Sequence, residues 1–243
     1  MKRRYLMDNF AKMGIGSDDT VFVHSSFKGL SQVGVTPNDF IDSLGATARN
    51  IVFPTFTYGF WDGQPFWIDV TPSDTGILGE TLRSRDDSVR SNHPFYSVTA
   101  SGLDAAIITT LGDRTAFGPG SVWATLYDLN AWLMIIDLRF DQSFTFFHYV
   151  EQAKGGVDYR HEKTFTGLVN GVEEDWTMHV RDEGVRTWVE PMGELLINTG
   201  AMKRVELGGV QFKLGRAQNV YLAVAHYLRS VPELLHSREE WNR

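Results

Sequence analysis

No cysteine occurs among the 243 residues. Disulfides, thiolate-held zinc, iron–sulfur ligation and a cysteine acyl-enzyme are excluded together, so a group transferred by this chain never rests on a sulfur of its own. Long apolar runs are lacking as well. The longest, AWLMII from Ala131 to Ile136, is far short of the roughly 20 residues that cross a bilayer, and a membrane partner is not expected. The basic start MKRRYLMDNFAKMG is interrupted by Asp8, Asn9 and Lys12 before any signal-peptide core forms, which predicts a cytoplasmic protein. Positive charge is in deficit: 23 Lys and Arg stand against 30 Asp and Glu, a formal charge of -7, and no basic block exceeds Lys2 to Arg4. Nucleic acid needs clustered cations for its phosphates, so it too is not an expected partner. A field of this sign suits an amine-bearing ligand better.

Familiar catalytic signatures are also missing. Without G-x-S-x-G there is no nucleophile elbow, and His161-Glu162 begins an H-E-x-x-H that the chain does not complete. The seven histidines do not fall at H-x-H or similar ligand spacings, so no metal is expected. FGPGSVWA, from Phe117, spells G-x-G-x-x-A, but no strand precedes it and Pro119 interrupts it, which favours a loop over a dinucleotide fingerprint.

What is present has the pattern of a single α/β domain over residues 1–243, with 42% hydrophobic and 13% aromatic residues to build a core. The apolar period alternates between about 2 and about 3.6 along the chain. VFVHSS (21–26), NIVFPTFT (50–57) and AWLMIIDL (131–138) predict strands. PNDFIDSLGATA from Pro37, GILGETLRSR (76–85) and SVWATLYDL (121–129) predict helices, the first opened by proline. Asn170-Gly171, between two β-prone segments, predicts a hairpin. VELGGVQFKLG predicts another, followed by an amphipathic stretch from Ala217 to His236.

Three polar groupings carry potential chemistry. His24-Ser25-Ser26-Phe27-Lys28-Gly29 lies at the carboxyl end of the first predicted strand, where open α/β sheets bind ligands. Its hydroxyls and Lys28 fit a phosphate cradle and a self-capping turn equally well. VRSNHPFYSVTASG, from Val89, gathers Arg90, Ser91, His93 and Ser97 beside a backbone-fixing proline, as a binding loop or a surface connection would. In FTFFHYVEQ, Thr145, His148 and Glu151 recur every third residue and share one face of a helix. The carboxylate can there hold the imidazole, select its tautomer and ready its other nitrogen for a proton; a histidine bonded to its neighbour inside an aromatic core has the same spelling.

In order, VHSSFKGL, VFPTFTYG, GILGETLRSRDDSVRSNHPFYSVTASG, FGPGSVWATLYDL and TFFHYVE resemble the aminoglycoside 3-N-acetyltransferase family over most of the chain. The most specific segment is R-S-x-H-P-x-x-S-x-x-A-x-G, matched by Arg90, Ser91, His93, Pro94, Ser97, Ala100 and Gly102. The resemblance implies a three-layer α/β/α sandwich with a central mixed sheet, distinct from the GCN5-type fold, and an N-acyltransferase with acetyl-CoA or another acyl-CoA as co-substrate. It places Ser25, Ser26, Lys28, Arg90, Ser91, His93 and Ser97 around acyl-CoA. His148 becomes the general base, oriented by Glu151, with Thr145 on the acceptor side. No cysteine is needed, since a neutral imidazole can take the proton of an amine attacking the thioester directly.

The chain departs from the family where the acceptor would sit. Asp141-Gln142-Ser143-Phe144-Thr145 stands where D-x-N-T is usual, with Phe144 in place of the asparagine. The preceding strand ends in Asp137 rather than a Gly-rich turn. Asp137 and Asp141 are therefore either holders of a substrate ammonium or helix caps, and Tyr58, Trp61 and Asp62 either line the acceptor pocket or form an aromatic surface loop. These departures and the compact chain favour the amine of an aminosugar or similar small molecule over a multi-ring aminoglycoside antibiotic. Resistance-type aminoglycoside acetylation and a silent CoA- or sugar-binding module are the alternatives. The acyl length and the oligomeric state, homo-oligomer included, stay open.

Overall fold

The structure, a computed structural model, describes residues 2–230 and the backbone at 236–237. The first strand, β1 (Thr20–Ser25), shows how its layers arise. Side chains alternate across a pleated strand, so Val21 and Val23 enter one buried cluster while Phe22 enters another. The same division holds for β2 (Asn50–Pro54), with Ile51 and Phe53 opposite Val52. Both faces must therefore be covered. One receives Leu6 and Phe10 of α1 (Lys2–Lys12), Leu30 of α2 (Lys28–Gln32), Phe40, Ile41 and Leu44 of α3 (Pro37–Gly45), and Leu78 and Leu82 of α4 (Ile77–Arg83).

The chain continues through β3 (Ser88–Arg90), β4 (Val98–Gly102), α5 (Ala105–Thr109), α6 (Val122–Asp128), β5 (Trp132–Ile136) and α7 (Phe146–Ala153). Next come β6 (Arg160–Val169), β7 (Val172–Arg181), β8 (Arg186–Thr187), α8 (Glu190–Asn198), β9 (Lys203–Leu207), β10 (Val210–Arg216) and α9 (Ala217–Ser230). Helices α5, α6, α7, α8 and α9 cover the second face, contributing Ile108, Trp123, Val150, Met192 and Val224 among others. The result is the expected three-layer sandwich. Its central sheet has seven strands in the order β3-β4-β2-β1-β5-β10-β9, with β2, β1 and β5 parallel and the remaining neighbours antiparallel.

Local signals account for the boundaries. Thr36 and Asp39 form a capping box ahead of Pro37 at the start of α3, and Ser121 accepts a hydrogen bond from the Ala124 N–H to cap α6. Asn170 and Gly171 take φ of 50° and 82°, the left-handed pair of a tight hairpin turn, and join β6 to β7 as a separate two-stranded sheet. No element was expected at the start of the chain, yet α1 forms there. Its Leu6 and Phe10, one turn apart, reach the core, and the Phe10 ring meets Phe40 edge-on at 5.5 Å. The amphipathic stretch expected to reach His236 is helical through Ser230; residues 231–235 lie outside the described residues. No helix among the described residues is long and apolar enough to cross a membrane.

Candidate active site

Helix α7 leaves the sheet after β5 and a 3-10 turn, Phe140–Gln142, and buries Phe146, Phe147 and Val150 on its inward face. Phe144, where the family carries asparagine, is also in the core, packed between Phe140 and Phe147. That anchoring sets the remaining face. His148 Nδ1 lies 2.8 Å from Glu151 Oε2, the contact that the three-residue spacing predicts. Glu151 is only 1% exposed. An isolated carboxylate would not survive such burial, and this one is surrounded: the Tyr159 hydroxyl donates to Oε1, and Arg160 Nε stands 3.2 Å from Oε2. Burial alone pushes the Glu151 carboxyl up, but His148, Arg160 and Tyr159 together bring it below its ordinary value.

A carboxylate at Nδ1 assigns the proton to that nitrogen and leaves the lone pair on Nε2. Nε2 is met by Arg160 Nη2 at 3.3 Å. Burial, reinforced by Arg160, holds the imidazole at about 4 against the opposing pull of Glu151, so it is neutral at physiological pH. Phe117 and Phe147 flank the ring at 5.1 and 3.9 Å. Beyond them opens a cavity of about 300 Å³ lined by His148, Tyr96, Trp61, Phe117 and, from the hairpin, Arg160, His179 and Arg181. A larger cavity, about 590 Å³, is lined by other residues, Arg90, Asp113, Arg114, Glu174 and Trp176 among them. It contains neither His148 nor Glu151, and its size does not make it the reactive site.

At the end of β1, His24 is buried and neutral, held by burial at about 3, and its Nε2 lies 3.0 Å from Thr145 Oγ1. This contact ties the first loop to the start of α7. Ser25 and Ser26 are half-buried there and Lys28 is exposed. The Ser26 N–H donates to the Ile136 carbonyl. Neither serine hydroxyl has a hydrogen-bond partner among the described residues, so both are available to a ligand.

The second expected cofactor loop is corrected by the structure. Arg90 is 8% exposed, and its guanidinium donates to the carbonyls of Thr55, Ile68 and Thr71 and to Ser97 Oγ. Ser97 Oγ in turn donates to the Thr55 carbonyl, Ser91 Oγ accepts from the Val98 N–H, and His93 Nδ1 accepts from the N–H groups of Phe95 and Tyr96. Arg90, Ser91, His93 and Ser97 are thus buried fasteners of the backbone, His93 through Nδ1 alone, its buried Nε2 having no hydrogen-bond partner among the described residues. Tyr96, carried by the loop they hold, is the residue that reaches the His148 cavity.

Of the two readings open for the acidic candidates near α7, the geometry supports the cap at Asp141, and Asp137 is engaged with the backbone as well. Asp141 Oδ1 accepts from the backbone N–H groups of Val189 and Glu190 at the start of α8, and its Oδ2 pairs with Arg139 at 2.7 Å. It is a helix cap. Asp137 has a positive φ of 49° and Oδ1 accepts from the Gln211 N–H, joining the ends of β5 and β10. On the 3-10 turn Gly59–Asp62, only Trp61 lines the cavity; Tyr58 and Asp62 are exposed outside it. Sequence reasoning missed Tyr159, Arg160, His179 and Arg181. The signal existed: counting outward from Asn170-Gly171 in regular register sets Arg160 opposite Arg181.

A family model described as aminoglycoside 3-N-acetyltransferase matches residues 22–229. No curated protein sequence matches the chain. Among solved structures, AAC-IIIb in binary complex with CoASH superposes with a TM-score of 0.80 at 19% identity, covering 94% of this chain and 96% of that one. The apoenzyme of the aminoglycoside acetyltransferase AAC(3)-IVa gives 0.80 at 21% identity over 96% and 90%. A histidine-to-alanine variant of AAC(3)-IVa in complex with a gentamicin gives 0.78 at 21% identity over 96% and 90%.

Proposed function

The chain belongs to the aminoglycoside 3-N-acetyltransferase family and is an acyl-CoA-dependent N-acyltransferase, and on that premise we propose that His148 is its general base and an aminosugar or similar small amine its acceptor. The observation that carries this is the His148–Glu151 contact of 2.8 Å, with the lone pair of Nε2 on the cavity side. The amine nitrogen attacks the thioester carbonyl, Nε2 of His148 takes its proton, and collapse of the tetrahedral intermediate expels the CoA thiolate, which recovers that proton as the thiol. Amide and free CoA are the products. Glu151 fixes the tautomer and stabilises the imidazolium that forms in between.

Ser25, Ser26 and Lys28 are the acyl-CoA contacts in this reading. The two serine hydroxyls stand uncommitted at a strand end, where such ligands bind, and Thr145 links that loop to the base through His24. The structural relative AAC-IIIb was solved with CoASH, which supports the same co-substrate here. The enzyme then belongs in the cytoplasm, where acyl-CoA is found. The aminoglycoside itself is the alternative acceptor, favoured by the gentamicin in the AAC(3)-IVa complex.

Release of CoA from acetyl-CoA, measured with a panel of amines, tests the assignment. His148→Ala should lose about 10²- to 10⁴-fold in turnover while acetyl-CoA still binds. Full activity in that variant would remove His148 from the mechanism.

A further inference from the structure

The cavity beside His148 has a charge that its reaction does not call for. Strands β6 and β7 pair Arg160 directly with Arg181 at the open end of the hairpin, and like charges in that position repel across a sheet. His179, two residues before Arg181 and on the same face of the strand, extends the wall, whose positive charge comes from the two arginines. Both guanidiniums act on the base, each pulling the His148 pKa downward, and both act on the Tyr96 hydroxyl across the cavity. Among the described residues lining this cavity there is no aspartate or glutamate. Two carboxylates adjoin the wall: Glu151 is sealed under His148, and Glu162, directly opposite His179 on the neighbouring strand, reaches it from an exposed position at 3.5 Å. A polycationic amine would meet two arginines before it met the base.

We propose that the acceptor amine belongs to a molecule that also bears a phosphate group, received by Arg160 and Arg181. This rests on the acyltransferase reading above. Guanidinium forks match phosphate oxygens in geometry and charge, and a phosphate between the two arginines removes their mutual repulsion. It also gives Arg160 a stronger partner than the imidazole. Nη2 now lies 3.3 Å from Nε2, on the lone pair the amine proton must reach, and engagement of a phosphate would draw it aside. Both arginines have protein partners, so the phosphate enters in competition with them. CoA is the other source of phosphate. Its phosphates sit at the far end of the pantetheine arm from the thioester that must meet the amine, whereas these arginines stand at the base itself.

Calorimetric binding of glucosamine, glucosamine 1-phosphate, glucosamine 6-phosphate and kanamycin to the full chain tests the proposal, with CoA release from acetyl-CoA followed in parallel. At least one sugar phosphate should bind about tenfold or more tightly than glucosamine. That ratio should fall toward one in Arg181→Gln, persist in Arg181→Lys and shrink as salt is raised. Equal binding of glucosamine and both phosphates, or tighter binding of kanamycin, overturns the proposal. If Arg181→Gln instead weakens acetyl-CoA but not S-acetylpantetheine, and leaves the sugar ratio intact, the phosphate is that of CoA and the proposal fails. Thiol release without a phosphate preference leaves the acyltransferase reading standing and removes this inference. A phosphate preference in binding, with no thiol release from any amine, keeps Arg160 and Arg181 as a phosphate site and overturns the assignment of that phosphate to the acceptor.

Discussion

Two histidines in this molecule, His93 fully buried and His148 partly so, have opposite occupations. His93 and His148 are both held neutral by desolvation, at about 3 and about 4. The ring of His93 lies among Phe95, Tyr96 and Trp176, and its Nδ1 takes two backbone N–H groups. His148 spends its Nδ1 on a carboxylate and turns Nε2 to a cavity with an arginine at its mouth. The partners make the difference. A nitrogen bonded to the main chain can only be protonated by breaking the fold, whereas one braced by a buried carboxylate can gain and lose a proton in place.

The largest contrast should come from the paired alanine variants. His148→Ala should lose about 10²- to 10⁴-fold in turnover with little change in melting temperature. His93→Ala should lose about 1–3 kcal/mol of stability through its two orphaned N–H donors and keep its turnover per folded molecule. Comparable losses of turnover in both would erase the distinction. Next in size, Arg90→Met leaves three backbone carbonyls short of a donor, a cost of about 3 kcal/mol in denaturant unfolding. If the fastener assignment holds, acetyl-CoA affinity of the folded fraction is unchanged.

Acid titration sharpens the comparison further. His24, His93 and His148 have folded values below the unfolded value of 6.5. The unfolded chain therefore takes up protons first as pH falls, and the stability present above about 6.5 is lost below it. Each histidine contributes about 1.4 kcal/mol per pH unit until its own folded value is reached. Denaturant midpoints between pH 7.5 and 5 should show that slope, and His93→Gln should reduce it by about one histidine's share. The smallest effects are shifts in the acid limb of kcat/KM. Arg160 depresses His148 and Glu151 raises it, so Arg160→Met should move the limb to higher pH and Glu151→Gln to lower pH, each by about one unit or less. Shifts of the opposite sign would mean that another group controls the limb.

The same pair shows how far the sequence could be read. The His148–Glu151 contact is a matter of three residues on one helix, and the alternating strands and the Asn170-Gly171 turn are equally local, so all were legible. The family resemblance puts Arg90, Ser91, His93 and Ser97 at the cofactor, and their dense polar spelling looks the same whether it faces outward or inward. The carbonyls that claim Arg90 come from residues 55, 68 and 71, and nothing in the loop's own spelling announces them. Asp141 was equally ambiguous until the start of α8, nearly fifty residues on, supplied its N–H groups. Arg160 and Arg181 become neighbours only through a hairpin register counted over ten pairs.

That hairpin is a sheet of its own. The base is anchored through Phe146, Phe147 and Val150 to the main core, while Arg181 and His179 hang from a strand that shares no backbone ladder with it. If the phosphate proposal holds, substrate range can drift, or be engineered, at alternate positions of β7 while the side chains that anchor the base stay unchanged. A lineage could exchange one acceptor for another by editing a few letters of a single ribbon.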